Sequence, residues 1–98
     1  MRMLIRIKPG LEAANQALKD GSMQKALQQA HEQLKPEASY FLPENGQRTA
    51  YFFCDLADES QIVSSLDPFF SHLEAKVEVY PAMNFNDLLA GFDQLDRG

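Results

Sequence analysis

The pair Asn45-Gly46 lies between two runs of strand-forming residues, ASYFLP before it and QRTAYFFCDL after it. Asn-Gly in this setting is the strongest short hairpin signal: both central residues of a type I′ turn need positive φ, which Asn and Gly adopt most easily. A two-residue turn also dictates a register. Glu44 falls opposite Gln47, Leu42 opposite Thr49, and Tyr40 opposite Tyr51, with Phe41 facing Ala50 and Ser39 facing Phe52. Cross-strand partners share a face. One face therefore carries Phe41, Ala50, Phe52, Cys54 and Leu56; the other carries Tyr40, Leu42, Thr49, Tyr51 and Phe53. Both faces are largely apolar, and both need a cover.

The flanking segments suggest what covers the first. MRMLIRIK alternates with period two, Met3, Ile5 and Ile7 on one side and Arg2, Leu4, Arg6 and Lys8 on the other, and Pro9-Gly10 ends it. From Leu11 to Leu34 the apolar spacing is helical, through Ala14, Leu18, Ala26, Leu27, Ala30 and Leu34. KDGS interrupts it, predicting a break near Gly21 with Ser22 as a new N-cap. DESQIVSSLDPFFSHL predicts a helix capped by Asp58 or Ser60 and split in two by Pro68. AKVEVYP is a fourth strand, with Val77 and Val79 opposed to Lys76, Glu78 and Tyr80. NFNDLLAGFDQL is a last helix, with Asn84 and Asp87 near capping-box spacing and an apolar stripe of Phe85, Leu88, Leu89, Phe92 and Leu95.

The order strand, helix, strand, strand, helix, strand, helix is the split βαβ, ferredoxin-like plan of the α+β class. With right-handed crossovers the strand order is 4-1-3-2, and Pro43 suits the edge position this gives the second strand. Both main helices then lie on one face, over Met3, Ile5, Ile7, Phe41, Phe52, Cys54, Val77 and Val79. The opposite face is left with Leu4, Arg6, Tyr40, Leu42, Tyr51, Phe53, Glu78 and Tyr80. A patch of this kind marks an interaction surface. The expected cover is a second copy: two sheets packed face to face as a homodimeric barrel, with the last helix across the partner or over a barrel mouth. The competing arrangement is a monomer whose antiparallel sheet faces water on one side.

Size and charge narrow the partners. The chain has 98 residues, the length of one domain spanning 1–98, and a net charge of −5. A chain of this length has a thin core, which association would supplement. The acidic balance argues against a nucleic-acid partner, because phosphate binding needs a clustered positive field. No apolar segment approaches membrane-spanning length, no leader segment is expected, and one cysteine allows neither an internal disulfide nor a multi-cysteine metal site. A cytoplasmic protein without a cofactor is expected.

The chain resembles the dimeric α/β-barrel superfamily, which includes muconolactone isomerases, antibiotic-biosynthesis monooxygenases and stress-responsive barrel proteins, and the resemblance extends over nearly its whole length. More narrowly, KPEASYFLPENGQRTAYFFCDLADESQI, DPFFSHLEAKVEVYPAMNFNDL and KDGS are similar to a small group of bacterial proteins that offers no catalytic residue to transfer. The resemblance implies a homodimer. Haem-degrading and quinone-forming members rely on a Trp with Asn and His, and this chain has no Trp.

The candidate ligand-binding residues all come from the uncovered face: Arg6, Tyr40, Tyr51, Phe53, Glu78 and Tyr80. Arg6 and Glu78 lie on neighbouring strands. As a binding pair, Arg6 would hold an anionic or carbonyl oxygen and Glu78 would act as base or acceptor; as a structural pair, they would set the register of the dimer. The tyrosines would line a site for a flat ligand or simply pack an interface. Cys54 reads as a core residue, His31 and His72 as cations at helix ends, and Arg48 and Thr49 as surface and ladder residues. No metal-ligand spacing appears. Three functions follow from this reading: a cofactor-free barrel that binds or converts a small aromatic or carbonyl metabolite, a non-catalytic dimeric interaction or regulatory module, or a subunit of a larger assembly paired through edge strands.

Overall fold

The computed structural model describes residues 1–95. Its elements are β1 (Arg2–Lys8), α1 (Leu11–Asp20), α2 (Ser22–Leu34), β2 (Ala38–Glu44), β3 (Gln47–Asp55), α3 (Ser60–Ser71), β4 (Lys76–Pro81) and α4 (Phe85–Leu95). The four strands form one antiparallel sheet in the order β2-β3-β1-β4, which is compatible with the ferredoxin-like plan. In a single chain this sheet stays open.

The hairpin behaves as its turn demands. Asn45 and Gly46 both have positive φ, 52° and 77°, and the pairs Glu44–Gln47, Leu42–Thr49 and Tyr40–Tyr51 are those expected. Ile5, Ile7, Ala50, Phe52 and Cys54 then point to one side, where they form a continuous core with Ala14 and Ala17 of α1, Ala26, Ala30 and Leu34 of α2, and Leu66 and Phe69 of α3. Three helices thus cover one sheet face.

Several local expectations are corrected. The N-cap of α2 is Gly21, in the left-handed region at φ 83°, and Ser22 is the first helical residue. The Asp20 carboxylate instead accepts the Ser22 N–H at 2.9 Å. Because Gly21 turns the chain, the helical phase does not run through it. The break near Gly21 is as expected; Ala17 and Met23 enter the core, whereas Leu18, grouped with the regularly spaced apolar residues, is 40% exposed. Pro68 does not split α3: Leu66 and Phe69, one on either side of it, are both fully buried and hold a single helix axis against the core. Neither Asp58 nor Ser60 is the N-cap of this helix, which is Glu59 without a side-chain cap; the Asp58 carboxylate, just before it, accepts the Ser60 N–H at 3.0 Å. Phe41 points to the helix side as its parity requires but is 57% exposed, because β2 is the edge strand; its ring meets that of Phe52 at a steep angle, 5.9 Å between centres.

The last helix stands apart. Asn84 and Asp87 form a reciprocal capping box, Asp87 N–H to Asn84 Oδ1 at 2.8 Å and Asn84 N–H to Asp87 Oδ2 at 3.0 Å. Arg2 ties this end to the sheet by donating to Asp87 Oδ2 at 2.6 Å. Beyond that anchor, no residue of α4 is buried. The radius of gyration, 15.6 Å, exceeds the roughly 13 Å of a compact 100-residue domain.

Candidate functional site

The uncovered face of the sheet is organised in rows by the strand register. Tyr40, Tyr51, Arg6 and Glu78 lie side by side across all four strands. Ala38, Phe53, Leu4 and Tyr80 form the adjacent row. Each predicted site residue is therefore on one surface, but they are not equally engaged. Arg6, Tyr51, Glu78 and Tyr80 belong to one hydrogen-bonded cluster. Phe53 supplies apolar area beside Leu4. Tyr40 lies at the edge and is 62% exposed.

Glu44, unassigned from the sequence, is the centre of the cluster. Its carboxylate receives Arg6 through two nitrogens, Nε at 3.0 Å and Nη2 at 2.8 Å. It also accepts the Tyr51 hydroxyl at 2.7 Å and lies 3.6 Å from Lys8 Nζ. The remaining terminal nitrogen of Arg6 reaches Glu78 at 3.2 Å, and Tyr80 donates its hydroxyl to that carboxylate. The Arg6 guanidinium also stands 6.0 Å from the centre of the Tyr51 ring, a favourable placement for a cation over a π face. Period-two parity put Glu44 on this face with Tyr40 and Leu42. Its reach back along the sheet to Arg6 is a property of side-chain direction, which spacing does not reveal.

The electrostatics follow from these bonds. The Tyr51 hydroxyl, then Arg6 and Lys8, hold the Glu44 carboxyl below its ordinary range despite some desolvation. Tyr80 first, and Arg6 with Lys76 and Lys8 after it, do the same for Glu78. The carboxylates in turn raise both phenols, Glu44 acting on Tyr51 and Glu78 on Tyr80. Desolvation works against the charge of Arg6, but its carboxylate partners prevail and raise its pKa. Glu78 is thus held as an ionised acceptor, away from the raised pKa that suits a general base at neutral pH. Arg6 has both carboxylates in its fork and is already neutralised.

A pH dependence follows. Glu44 and Glu78 have depressed folded-state pKa values, so their contribution to stability is complete above the ordinary value of 4.5 and is lost as pH falls through the depressed values. Glu44→Gln is expected to lower stability at neutral pH and to flatten its decline on acidification. Urea midpoints measured from about pH 7 to pH 3 for both proteins check this; parallel acid limbs would contradict it.

Other polar residues are accounted for structurally. Cys54 is fully buried, and desolvation, with Glu37 adding to it, pushes its thiol up to about 11, so it stays protonated. His31 packs edge-on to Phe52 with ring centres 6.3 Å apart. His72 closes the end of α3, its N–H donated to the Pro68 carbonyl. Among the described residues, no group of three His, Cys, Asp or Glu side chains is placed to hold a metal ion. No helix among them is long and apolar enough to cross a membrane. No protein-family model matches the chain, and no curated protein matches it significantly.

Proposed function

We propose that the protein is a homodimeric interaction module. Two open sheet faces pack against each other to close a barrel, and α4 of each chain lies on its partner. The observation that carries this reading is α4 itself: a capped, amphipathic helix, anchored at its start by Arg2, with Phe85, Leu88, Leu89, Phe92 and Leu95 all exposed in the single chain. An apolar stripe of that size has little reason to remain in water. The uncovered sheet face beside it adds Leu4, Tyr51 and Phe53, and the resemblance to dimeric barrels agrees.

In this assembly the Arg6–Glu44–Glu78 cluster acts as a register device. With Lys8 beside Glu44, two cations face two carboxylates within each chain, so the cluster can be covered without leaving a lone ion, and it penalises sheet pairings that would break it. Binding of a metabolite by the same residues is the weaker alternative, because both carboxylates already occupy Arg6.

Sedimentation in dilute solution tests the proposal. Wild type is expected at twice the chain mass of 11.1 kDa. Phe53→Asp, which sets a charge in the middle of the pairing surface, is expected to sediment as a folded monomer. A wild-type monomer across the micromolar range would overturn the proposal.

A further inference from the structure

Mainly on the helix side of the sheet, and reaching Leu42 and Thr49 of the open face at the β2 edge, lies a cleft of about 400 Å³ between the α1–α2 corner and the hairpin end of β2 and β3. This volume is within the range of small-molecule sites. Ile7 and Ala50 form part of its floor, Leu18, Met23 and Leu27 line its helical side, and Phe41 lines the sheet edge. Two of these, Leu18 and Phe41, are 40% and 57% exposed in the single chain.

The lining is apolar except at one end, where Arg48 and Thr49 stand. Thr49 has its hydroxyl committed to the Gln47 carbonyl at 3.1 Å. Arg48 pairs with Pro43 across the hairpin and so points to the helix side, where Nη1 donates to Asn15 Oδ1 at 3.1 Å. Arg2 and Arg6 each hold two carboxylates, whereas Arg48 makes no ion pair among the described residues. In a chain with a net charge of −5, a guanidinium at the mouth of an apolar cleft with only an amide oxygen for company is set apart from the others. A guanidinium has five N–H donors in a planar fork, and a carboxylate matches that fork with two parallel bonds.

We propose that this cleft binds a small carboxylate with an apolar body, the body between Leu18, Met23, Leu27 and Phe41 and the carboxylate on Arg48. The occupant covers the exposed faces of Leu18 and Phe41 and gives Arg48 an anionic partner. The site is complete within one chain: of its lining only Leu42 and Thr49 belong to the open sheet face, and the residues that hold the apolar body and the carboxylate are on the helix side.

The test is an amide NMR titration of the full-length, ¹⁵N-labelled protein with decanoate below its micelle concentration. 1-Decanol and decyltrimethylammonium serve as neutral and cationic probes of similar body. Saturable shifts are expected at Leu18, Met23, Leu27, Phe41 and Ala50, with decanoate binding about tenfold more tightly than decanol and the cation weakest, as a charge-assisted pair requires. Arg48→Gln is expected to bring decanoate down to the level of decanol while leaving decanol affinity and the remaining spectrum unchanged. Leu27→Trp, which fills the cleft, is expected to abolish both. Overturning results are the absence of saturation, shifts on the Tyr51–Phe53 face instead, or equal decanoate affinity in wild type and Arg48→Gln. The Phe53→Asp monomer should bind decanoate as wild type does, which separates failure of this site from failure of the dimer.

Discussion

Replacing Phe52 by alanine is expected to remove about 3–5 kcal/mol of stability, as is usual for a phenylalanine deleted from a packed core. Phe52 is fully buried in β3, an interior strand of the sheet. It pairs with Ile5 on β1, meets the ring of Phe41 edge-on at 5.9 Å and that of His31 at 6.3 Å. Its contacts therefore join the sheet to α2 and hold the exposed edge strand to the core. Sheet and helices are regular elements that collapse poorly around a void, so the upper half of that range is expected. Small domains have only about 5–15 kcal/mol in total. Phe52→Ala should therefore lie near its unfolding threshold at 37 °C, read as a large drop in urea midpoint with little change in slope. A loss below about 1 kcal/mol would mean that Phe52 is not the keystone of this core.

The second large effect concerns α4. Phe85→Ser, Leu89→Ser and Phe92→Ser introduced together are expected to weaken the dimer by at least a hundredfold. Each large apolar side chain buried on association is worth roughly 1.5–3 kcal/mol, and about 1.4 kcal/mol is a factor of ten. Not all of that gain survives the ordering of the helix, so the sum is an upper bound. The same triple variant should unfold, as a monomer, at the temperature of the dilute wild-type chain, because no residue of α4 is buried within its own fold. A purely intramolecular role for α4 would reverse the pattern, lowering monomer stability and leaving the oligomeric state alone. Sedimentation and thermal unfolding on the same samples separate the two.

These predictions rest on features of different legibility. The hairpin could be read in full: Asn45-Gly46 admits one short turn, the turn admits one register, and the register assigns every residue of β2 and β3 to a face. The stripe and capping box of α4 were equally plain, since spacing of three and four residues is local geometry. The break near Gly21 was legible, but Leu18 was still counted in one apolar spacing running from Leu11 to Leu34, a phase that the left-handed residue resets. The split of α3 at Pro68 failed for the converse reason: proline weakens a helix locally, but Leu66 and Phe69 anchor both sides of it to the same core. Of the polar cluster on the open face, Arg6, Tyr51, Glu78 and Tyr80 could be assigned to that face by parity, while Glu44 looked like the start of a turn. Arg48 was read as a surface residue and is exposed; its proposed role comes from α1 and α2, distant in sequence, which wall the cleft beside it.

Sequence by itself determined the strand pairing of the hairpin, the two-faced character of the sheet and the amphipathic nature of the last helix, because turn chemistry and periodicity act between near neighbours. Tertiary structure alone decided that Glu44 joins Arg6 and Tyr51, that Leu18 and Phe41 stay exposed beside a cleft, and that no residue of α4 is buried among the described residues. Those outcomes depend on which helices reach which part of the sheet and how far each side chain extends, and pattern along the chain carries neither distance.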